Sequence, residues 1–351
     1  MITAMNDVLQ GLKIDGSCIH AETHRHLAYF DIALERKPAV LRKLENSAKD
    51  IALHIKSKTI PIIKLIPELG IVRLQVALKE AKPISFLNLY SGEQIPNMIF
   101  PLLLGEDDTG KKLWMDMVNN PHLLIAGGTG SGKSTLLHSL IANALFLTSF
   151  RIRNIVVYLA DPKRVEFTEY RDLQLNNVIK KVVSTYTETI ETLENIERIM
   201  DSRYNEMHKF QMRNIEENPN RFSLILCIID EVADLMMQDK RNGKLQNLII
   251  KIAQKGRAAG IFLILATQRP SVDIITGLIK ANFPGRIACK TASRKDSEII
   301  LDHPGAETLL GRGDAVLKNM KCDSVRFQAA YITPQEAINT YKTIMEMEKL
   351  I

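Results

Sequence analysis

The glycine-rich segment GGTGSGKS, residues 127–134, constrains the fold of this chain more than any other part of the sequence. It matches the pattern G-x-x-x-x-G-K-[ST], follows the apolar run HLLIA and precedes the apolar run TLLHSLIANALF. A phosphate-binding loop requires this order of strand, loop and helix. Glycines let the backbone curl so that successive N–H groups point at anionic oxygens, and the positive end of the following helix reinforces them. The segment therefore predicts a nucleotide-binding α/β domain.

The residues of this loop have expected roles in binding ATP. Lys133 is expected to reach the terminal phosphates, and Ser134 to supply a hydroxyl to Mg²⁺. The predicted nucleotide-binding residues are Gly127, Gly128, Thr129, Gly130, Ser131, Gly132, Lys133, Ser134 and Thr135. ATP and Mg²⁺ are therefore the predicted cofactors.

Two adjacent carboxylates end the apolar run in LILCIIDEVADLM. A buried strand of this kind delivers acids to the edge of the sheet where the nucleotide binds. Asp230 is therefore predicted to hold the magnesium shell, and Glu231 to polarise the attacking water. This pair favours hydrolysis of the nucleotide over its storage.

Two further residues complete the predicted catalytic set. The strand IFLILA leads into Thr267-Gln268-Arg269-Pro270, so Gln268 is the candidate sensor of the γ-phosphate. In KIAQKGRAAG, Arg257 near a helix end could act as an arginine finger across a subunit boundary. The alternative for Arg257 is a solvated or ion-paired surface residue. The segment Asp161-Pro162-Lys163-Arg164 also ends a core strand, and it could face DNA, a neighbouring subunit or only solvent.

Composition narrows the class of protein. With 351 residues, 46% apolar and 25% charged, the chain is expected to fold into about two domains. No uninterrupted apolar run reaches the roughly 18 residues of a membrane-spanning helix, and the amino terminus lacks the apolar core of a signal peptide. Cys18, Cys227, Cys289 and Cys322 form no C-x-x-C pair, so a reducing compartment and a cytoplasmic location are expected. The net charge of +6 leans toward polyanionic partners.

Hydrophobic periodicity predicts two unlike regions. Residues 1–90 are predicted to form a small α+β subdomain, with a strand over 27–34, a helical segment from Pro38 and strands over 60–66 and 71–77. Residues 91–351 are predicted to form the larger domain, where short apolar strands alternate with amphipathic helices. Its expected strands are 122–126, 155–160, 224–229 and 261–266. This alternation is typical of a mostly parallel sheet covered on both faces.

Three segments resemble the motor region of the FtsK/SpoIIIE family of double-stranded DNA translocases. They are GGTGSGKST, IIDEVADLMM and the long stretch that begins KGRAAGIFLILATQRPSVDIITGLIKANFPGRIA. The resemblance implies a RecA-like P-loop NTPase preceded by the family's small α-subdomain. It also implies a ring, usually hexameric, that threads duplex DNA and binds nucleotide between subunits.

The resemblance assigns roles position by position. Lys133 and Ser134 match the phosphate-loop lysine and serine, Asp230 and Glu231 the strand-end acids, Gln268 the sensor and Arg257 the arginine acting in trans. Lys280 and Arg294 match DNA-contacting basic positions, and the alternative for each is an ordinary solvated helix charge. Glu298 stands where many relatives carry a second basic residue, and Lys290 or Lys295 could compensate. The family's membrane segment and winged-helix module find no counterpart, so an excised motor or a short homologue is expected.

The expected function is an ATP-hydrolysing motor that forms a ring around double-stranded DNA. Two alternatives remain open at this point. One is an ATP-dependent coupling or assembly scaffold in DNA transfer or packaging, and the other is a HerA-like helicase ATPase.

Overall fold

The computed structural model describes residues 1–24, 27–35, 38–57, 59–77, 83–90, 95–150, 152–171, 178–239, 243–320 and 324–348. Within these ranges the chain divides into two units. Cys18, Cys227 and Cys289 are buried and free. Cys322 lies outside the described residues.

The first unit comprises Met1–Pro83, Asp108–Lys111 and Thr308–Leu310. Its elements are α1 (Ile2–Gly11), β1 (Gly16–His24), β2 (Leu27–Leu34), α2 (Pro38–Asn46), α3 (Ala48–His54), β3 (Ile62–Ile66) and β4 (Ile71–Ala77). The strands form an antiparallel sheet in the order β1-β2-β4-β3. The predicted bounds of β2 and β4 are confirmed, whereas α1 and β1 were not predicted.

A cross-strand ion pair fixes the register of β2 against β4. Asp31 and Arg73 stand directly opposite each other, and the guanidinium donates to both carboxylate oxygens over 2.6 and 2.8 Å. Side chains such as Leu44, Ile51 and Leu74 form the apolar core of this unit. The helical segment predicted from Pro38 is interrupted at Ser47, so that α2 and α3 are separate helices.

The second unit contains the glycine-rich loop. Its elements are β5 (Ile84–Ser85), α4 (Phe86–Tyr90), β6 (Pro101–Asp107), β7 (Lys112–Asp116), β8 (Leu123–Ala126), α5 (Lys133–Ser149), β9 (Ile155–Ala160), β10 (Ile179–Val183), α6 (Tyr186–Lys209), β11 (Leu224–Ile229), α7 (Val232–Gln238), α8 (Lys244–Lys255), β12 (Ile261–Thr267), α9 (Gly277–Asn282), β13 (Gly285–Cys289), α10 (Arg294–Leu301), β14 (Asp314–Lys318), β15 (Val325–Tyr331) and α11 (Pro334–Glu348).

These strands form one large mixed sheet in the order β10-β9-β11-β12-β8-β13-β14-β15-β6-β7, with β5 beside β15. The strands from β10 to β13 are parallel, and those from β13 to β7 pair antiparallel. The predicted α/β class with a mostly parallel sheet is confirmed. The predicted strands 155–160 and 224–229 have the observed bounds, β8 begins one residue later than predicted, and β12 extends one residue further. In the antiparallel half, the sequence predicts only one strand, over the run VRFQAAYI at 325–332, and it is observed as β15.

Helix α5 is buried on nearly all of its faces, as a helix inside an α/β core requires. Its Asn143 side chain accepts from the Leu103 amide over 2.8 Å and donates to the Leu103 carbonyl over 3.1 Å. This exchange fixes α5 to β6 at the irregular step between Leu103 and Gly105. Among the described helices, none combines the length and apolar character needed to cross a bilayer.

Candidate nucleotide site

The glycine-rich loop adopts a backbone conformation that only glycine permits at its tightest point. Gly132 has φ 100°, and a Cβ placed there would lie 2.0 Å from the Gly313 nitrogen. Gly130 also has positive φ, at 73°. Gly132 directly precedes α5, whose first amides have no partner within the helix, so the loop and the helix dipole together suit an anion.

Segments distant in sequence hold this loop from two sides. The Gly127 and Gly128 amides donate to the Thr267 and Lys290 carbonyls over 3.2 and 2.9 Å. On the other side, the Gly313 amide donates to the Ser131 carbonyl over 2.9 Å.

The segment Gly311-Arg312-Gly313 forms that second side and was not predicted. Its residues have φ values of 83°, 53° and 93°, and the Arg312 amide donates to the Gly130 carbonyl over 3.3 Å. The pattern G-x-G in GRGD indicates a turn with positive φ, but nothing in the sequence says that this turn meets the loop.

Lys133 and Asp230 form a buried ion pair within hydrogen-bonding contact, and each side chain is only 3% exposed. Burial raises the pKa of the Asp230 carboxyl, even though the Lys133 ammonium beside it acts in the opposite direction. The two residues predicted to serve phosphate and metal are therefore brought together, and they neutralise each other here.

Glu231 is the second residue after β11 and has the left-handed conformation, with φ 50°, and its side chain is fully buried. The carboxylate accepts hydrogen bonds from the Lys163 ammonium over 2.9 Å, the Thr267 hydroxyl over 2.8 Å and the Gln268 amide over 3.2 Å. Burial acts to raise the pKa of Glu231, but these donors outweigh it, so the pKa lies below its ordinary value. Glu231 is thus a carboxylate fixed at the carboxyl edge of the parallel strands.

Gln268 links this carboxylate to the glycine-rich loop. While its amide donates to Glu231, its side-chain Oε1 accepts from the Thr129 hydroxyl over 3.2 Å. The residue predicted as sensor therefore contacts both the acidic strand end and the loop, and its response to the terminal phosphate stays a prediction.

Glu166 also belongs to the site and was missed by the sequence reasoning. The Ser134 hydroxyl donates to Glu166 Oε2 over 2.5 Å, and His138 Nε2 lies 3.0 Å from the other carboxylate oxygen. Against the raising effect of burial, these hydrogen bonds lower the pKa of Glu166. The only available signal was position, because Glu166 follows β9 at the same edge of the sheet as Asp230 and Glu231.

The residues present fit magnesium. Ser134 and Asp230 offer the hard oxygen ligands that Mg²⁺ prefers. Asp230 contacts Lys133, the first residue of α5, and Ser134 is the next residue of that helix. Within the described ranges, no cluster of three or more His, Cys, Asp or Glu side chains could enclose a metal.

The remaining predicted residues lie in ion pairs within the chain. Arg257, 47% exposed, is 3.4 Å from Glu216, and Arg294, 71% exposed, is 2.8 Å from Glu298. Lys280 contacts Asp302, a carboxylate that it shares with Arg286 and Lys318. The observed pair at Arg257 matches the surface-residue alternative in this single chain, and it leaves the role in trans as a prediction.

The strand, loop and helix around Lys133, with the acids that end β11, define a P-loop NTPase. A family model described as the FtsK/SpoIIIE family matches residues 91–223 and 217–272. The chain belongs to this family.

Curated relatives agree with that assignment. A protein named DNA translocase FtsK from Chlamydia muridarum is 35% identical over 360 residues, which cover 97% of this chain and 44% of the relative. One of the same name from Streptococcus pyogenes serotype M6 is 34% identical over 354 residues, 95% of this chain and 43% of the relative. The chain thus spans less than half the length of these relatives.

Solved structures share the fold. The pCW3 conjugation coupling protein TcpA, in its monomer form with ATPgS, superposes with a TM-score of 0.68 at 22% identity over 99% of both chains. ATPases 2 and 3 of EssC from Geobacillus thermodenitrificans give a TM-score of 0.62 at 16% identity, over 78% of this chain and 52% of that one. At such identities the likeness concerns the fold alone.

Proposed function

We propose that this chain is an ATP-hydrolysing motor that moves along double-stranded DNA as a ring, most simply a hexamer, with nucleotide bound between subunits. The observation that carries the proposal is the position of Glu231. It is a buried, ionised carboxylate at the end of β11, and Gln268 connects it to the loop that would hold the phosphates. The name DNA translocase FtsK, given to relatives about a third identical, supports the choice of DNA as partner.

In this proposal Glu231 accepts a proton from the water that attacks the γ-phosphate. In this structure its carboxylate accepts hydrogen bonds from Lys163, Thr267 and the Gln268 amide. One of these donors must give way before the carboxylate can orient a water. Lys133 neutralises the terminal phosphates once they displace Asp230, while bound Mg²⁺, held through Ser134 and Asp230, would further neutralise charge on the transferred phosphoryl group.

Lys280 and Arg294 are the proposed DNA contacts. A translocating ring must hold the phosphate backbone without reading bases, which positive side chains achieve because every nucleotide carries the same charge. Each of the two cations is paired with a carboxylate, Asp302 or Glu298. DNA phosphates would therefore exchange with these acids, and binding should be weak at high salt and tolerant of sequence.

The test is ATP hydrolysis by the purified chain with linear duplex, with single-stranded DNA and without DNA. A motor predicts stimulation by duplex and ATP-dependent displacement of a third strand from a triplex. Equal turnover with and without DNA would instead favour a coupling scaffold, an option compatible with the fold likeness to the coupling protein TcpA. Stronger stimulation by single strands would favour a HerA-like helicase ATPase.

Two variants serve as controls. Glu231→Gln should retain nucleotide binding and lose hydrolysis by at least about a hundredfold, because the amide cannot accept the proton. Lys133→Ala should lose binding itself, since the phosphates lose their only described buried ammonium. Wild-type turnover in Glu231→Gln would exclude the proposed base.

A further inference from the structure

We propose that Glu166 is a positioning residue for magnesium, acting through the hydroxyl of Ser134. The inference rests on the proposed ATP-binding function and adds a residue to it. Glu166 lies in the segment that follows β9, and its carboxylate oxygens contact two residues of α5, Ser134 and His138.

A serine hydroxyl has one proton to donate and two lone pairs to offer. The Ser134 hydroxyl donates a hydrogen bond to Glu166 Oε2 over 2.5 Å, so its proton points at the carboxylate. Both lone pairs then stay available to a cation, and the negative partner makes the oxygen a stronger ligand. Without such an acceptor, the hydroxyl could turn its proton toward the metal position.

The carboxylate is itself held in place. His138 Nε2 lies 3.0 Å from Glu166 Oε1, and His138 Nδ1 lies 3.3 Å from the Tyr170 hydroxyl. Glu166 and His138 are only 13% and 12% exposed. This chain of contacts fixes the carboxylate in one orientation toward Ser134, as outer partners of metal ligands are fixed in other proteins.

The backbone before Glu166 is also fixed. Asp161, fully buried at the end of β9, accepts from the Phe167 amide over 3.0 Å through its side chain and from the Arg164 amide over 3.1 Å through its carbonyl. Asp161 thus holds both ends of the turn 161–167 together, and this turn positions Glu166 against α5. A solvated surface acid would need none of this support.

A side-chain amide could accept the hydrogen bond of the serine hydroxyl just as a carboxylate does, and burying the amide would cost less desolvation free energy. The group at ion-pair distance from Glu166 is the His138 ring, 3.0 Å away, and no described lysine or arginine lies that close, although such a partner is the usual way to stabilise a buried carboxylate. A full negative charge beside Ser134 therefore has its clearest use when a cation arrives there.

The experiment measures the affinity of the full chain for a fluorescent ADP analogue in excess Mg²⁺ and in EDTA. Wild type should bind more tightly with Mg²⁺. In Glu166→Ala the increase in affinity caused by Mg²⁺ should be about tenfold smaller than in wild type, while the affinity in EDTA should stay within about twofold of wild type. Glu166→Gln, which retains an acceptor for Ser134 without the charge, should lie between them. Glu169→Ala removes an exposed acid from the same segment and should match wild type.

A spectroscopic measurement gives a second readout. With Mn²⁺ in place of Mg²⁺, the electron paramagnetic resonance spectrum of the bound nucleotide complex should change in Glu166→Ala and not in Glu169→Ala. An unchanged Mg²⁺ gain in Glu166→Ala overturns the inference, and so does an equal loss of affinity with and without Mg²⁺, since that indicates general damage to the loop. If wild type binds no nucleotide at all, the proposed function fails together with this inference.

Discussion

The Lys163 ammonium lies 2.9 Å from Glu231 Oε2, although the two residues follow different strands of the sheet. Lys163 follows β9 and Glu231 follows β11, and these strands are parallel neighbours. The turn after β9 therefore contacts the proposed catalytic base directly. From the sequence, this turn was expected to face DNA, a neighbouring subunit or solvent. The contact with Glu231 within the same chain was not predicted.

We expect Lys163 and Glu231 to be energetically coupled. The Glu231 side chain is fully buried while Lys163 is 35% exposed, so removing the ammonium leaves a buried charge with weaker compensation. In a double-mutant cycle with Lys163→Ala and Glu231→Gln, the coupling should be about 1–2 kcal/mol, reduced by solvent at the lysine. Urea unfolding of the four proteins measures it.

The matched control is a second double-mutant cycle, between Lys163 and Asp234. The Asp234 carboxylate lies 3.9 Å from the same ammonium and is 28% exposed. The cycle with Asp234→Asn should give coupling near zero, as for exposed pairs. Equal coupling in the two cycles would mean that the Glu231 contact has no special strength.

Two glycines of the loop should differ sharply in their tolerance of alanine. Gly132 combines φ 100° with a Cβ position 2.0 Å from the Gly313 nitrogen, whereas a Cβ on Gly128 would come no closer than 3.6 Å to the Lys290 carbonyl. Gly132→Ala should cost roughly 3 kcal/mol or more of stability and abolish nucleotide binding. Gly128→Ala should stay within about 1 kcal/mol of wild type. Thermal unfolding and nucleotide titration of both variants test this, and similar losses in the two would contradict the geometry.

Arg257 should act on the nucleotide of a neighbouring subunit. Its only described ion pair, to Glu216 at 3.4 Å, is exposed and therefore weak enough to exchange. Arg257→Ala should hydrolyse no ATP alone. Mixed equally with Lys133→Ala, it should recover about a quarter of wild-type turnover, since that share of random interfaces joins an intact lysine to an intact arginine.

Arg213→Ala removes another exposed arginine and should be fully active by itself. If no mixing ratio restores hydrolysis to Arg257→Ala, the arginine does not act in trans.

His122 should make stability fall in mild acid. Burial lowers the pKa of its ring to about 3, and Nδ1 needs its lone pair to accept from the Leu263 amide over 3.0 Å. The unfolded chain takes up this proton near pH 6.5 and the folded chain does not, so stability is lost as pH falls below that value. From pH 7 to pH 5 the loss should be about 2 kcal/mol, read from urea midpoints.

The substitution His122→Asn should remove most of this loss. Asparagine offers an acceptor oxygen near the position of Nδ1, and it tolerates the φ of 63° at this residue. His208→Asn, at an exposed histidine of α6, should leave the pH dependence as it is. A slope that persists in His122→Asn would assign it to other groups.

What could be predicted from the sequence was local. The loop at residues 127–134 and the acids after β11 carry their chemistry within a few consecutive residues, and the parallel strands are short apolar runs. The structure then brings Lys133, Asp230, Glu231 and Gln268 to one edge, as parallel strands must. Glu166 was not predicted as a site residue, because its role depends on contact with α5, and the pattern of apolar residues does not reveal that contact. The acids that pair with Lys280 and Arg294 differ in the same way, since Glu298 is one helical turn from Arg294 while Asp302 reaches Lys280 only through tertiary folding.

The contact of Gly311-Arg312-Gly313 with the glycine-rich loop sets an order on how this protein can be made. About 180 residues separate the two segments along the chain, and the later one is anchored where β14 begins. During synthesis the glycine-rich loop leaves the ribosome long before residues 311–313. Its contacts with Gly311-Arg312-Gly313 therefore form only after β14 and β15 have also been synthesised. We therefore expect competence to retain nucleotide to arise late in synthesis, in one step with closure of the antiparallel half of the sheet.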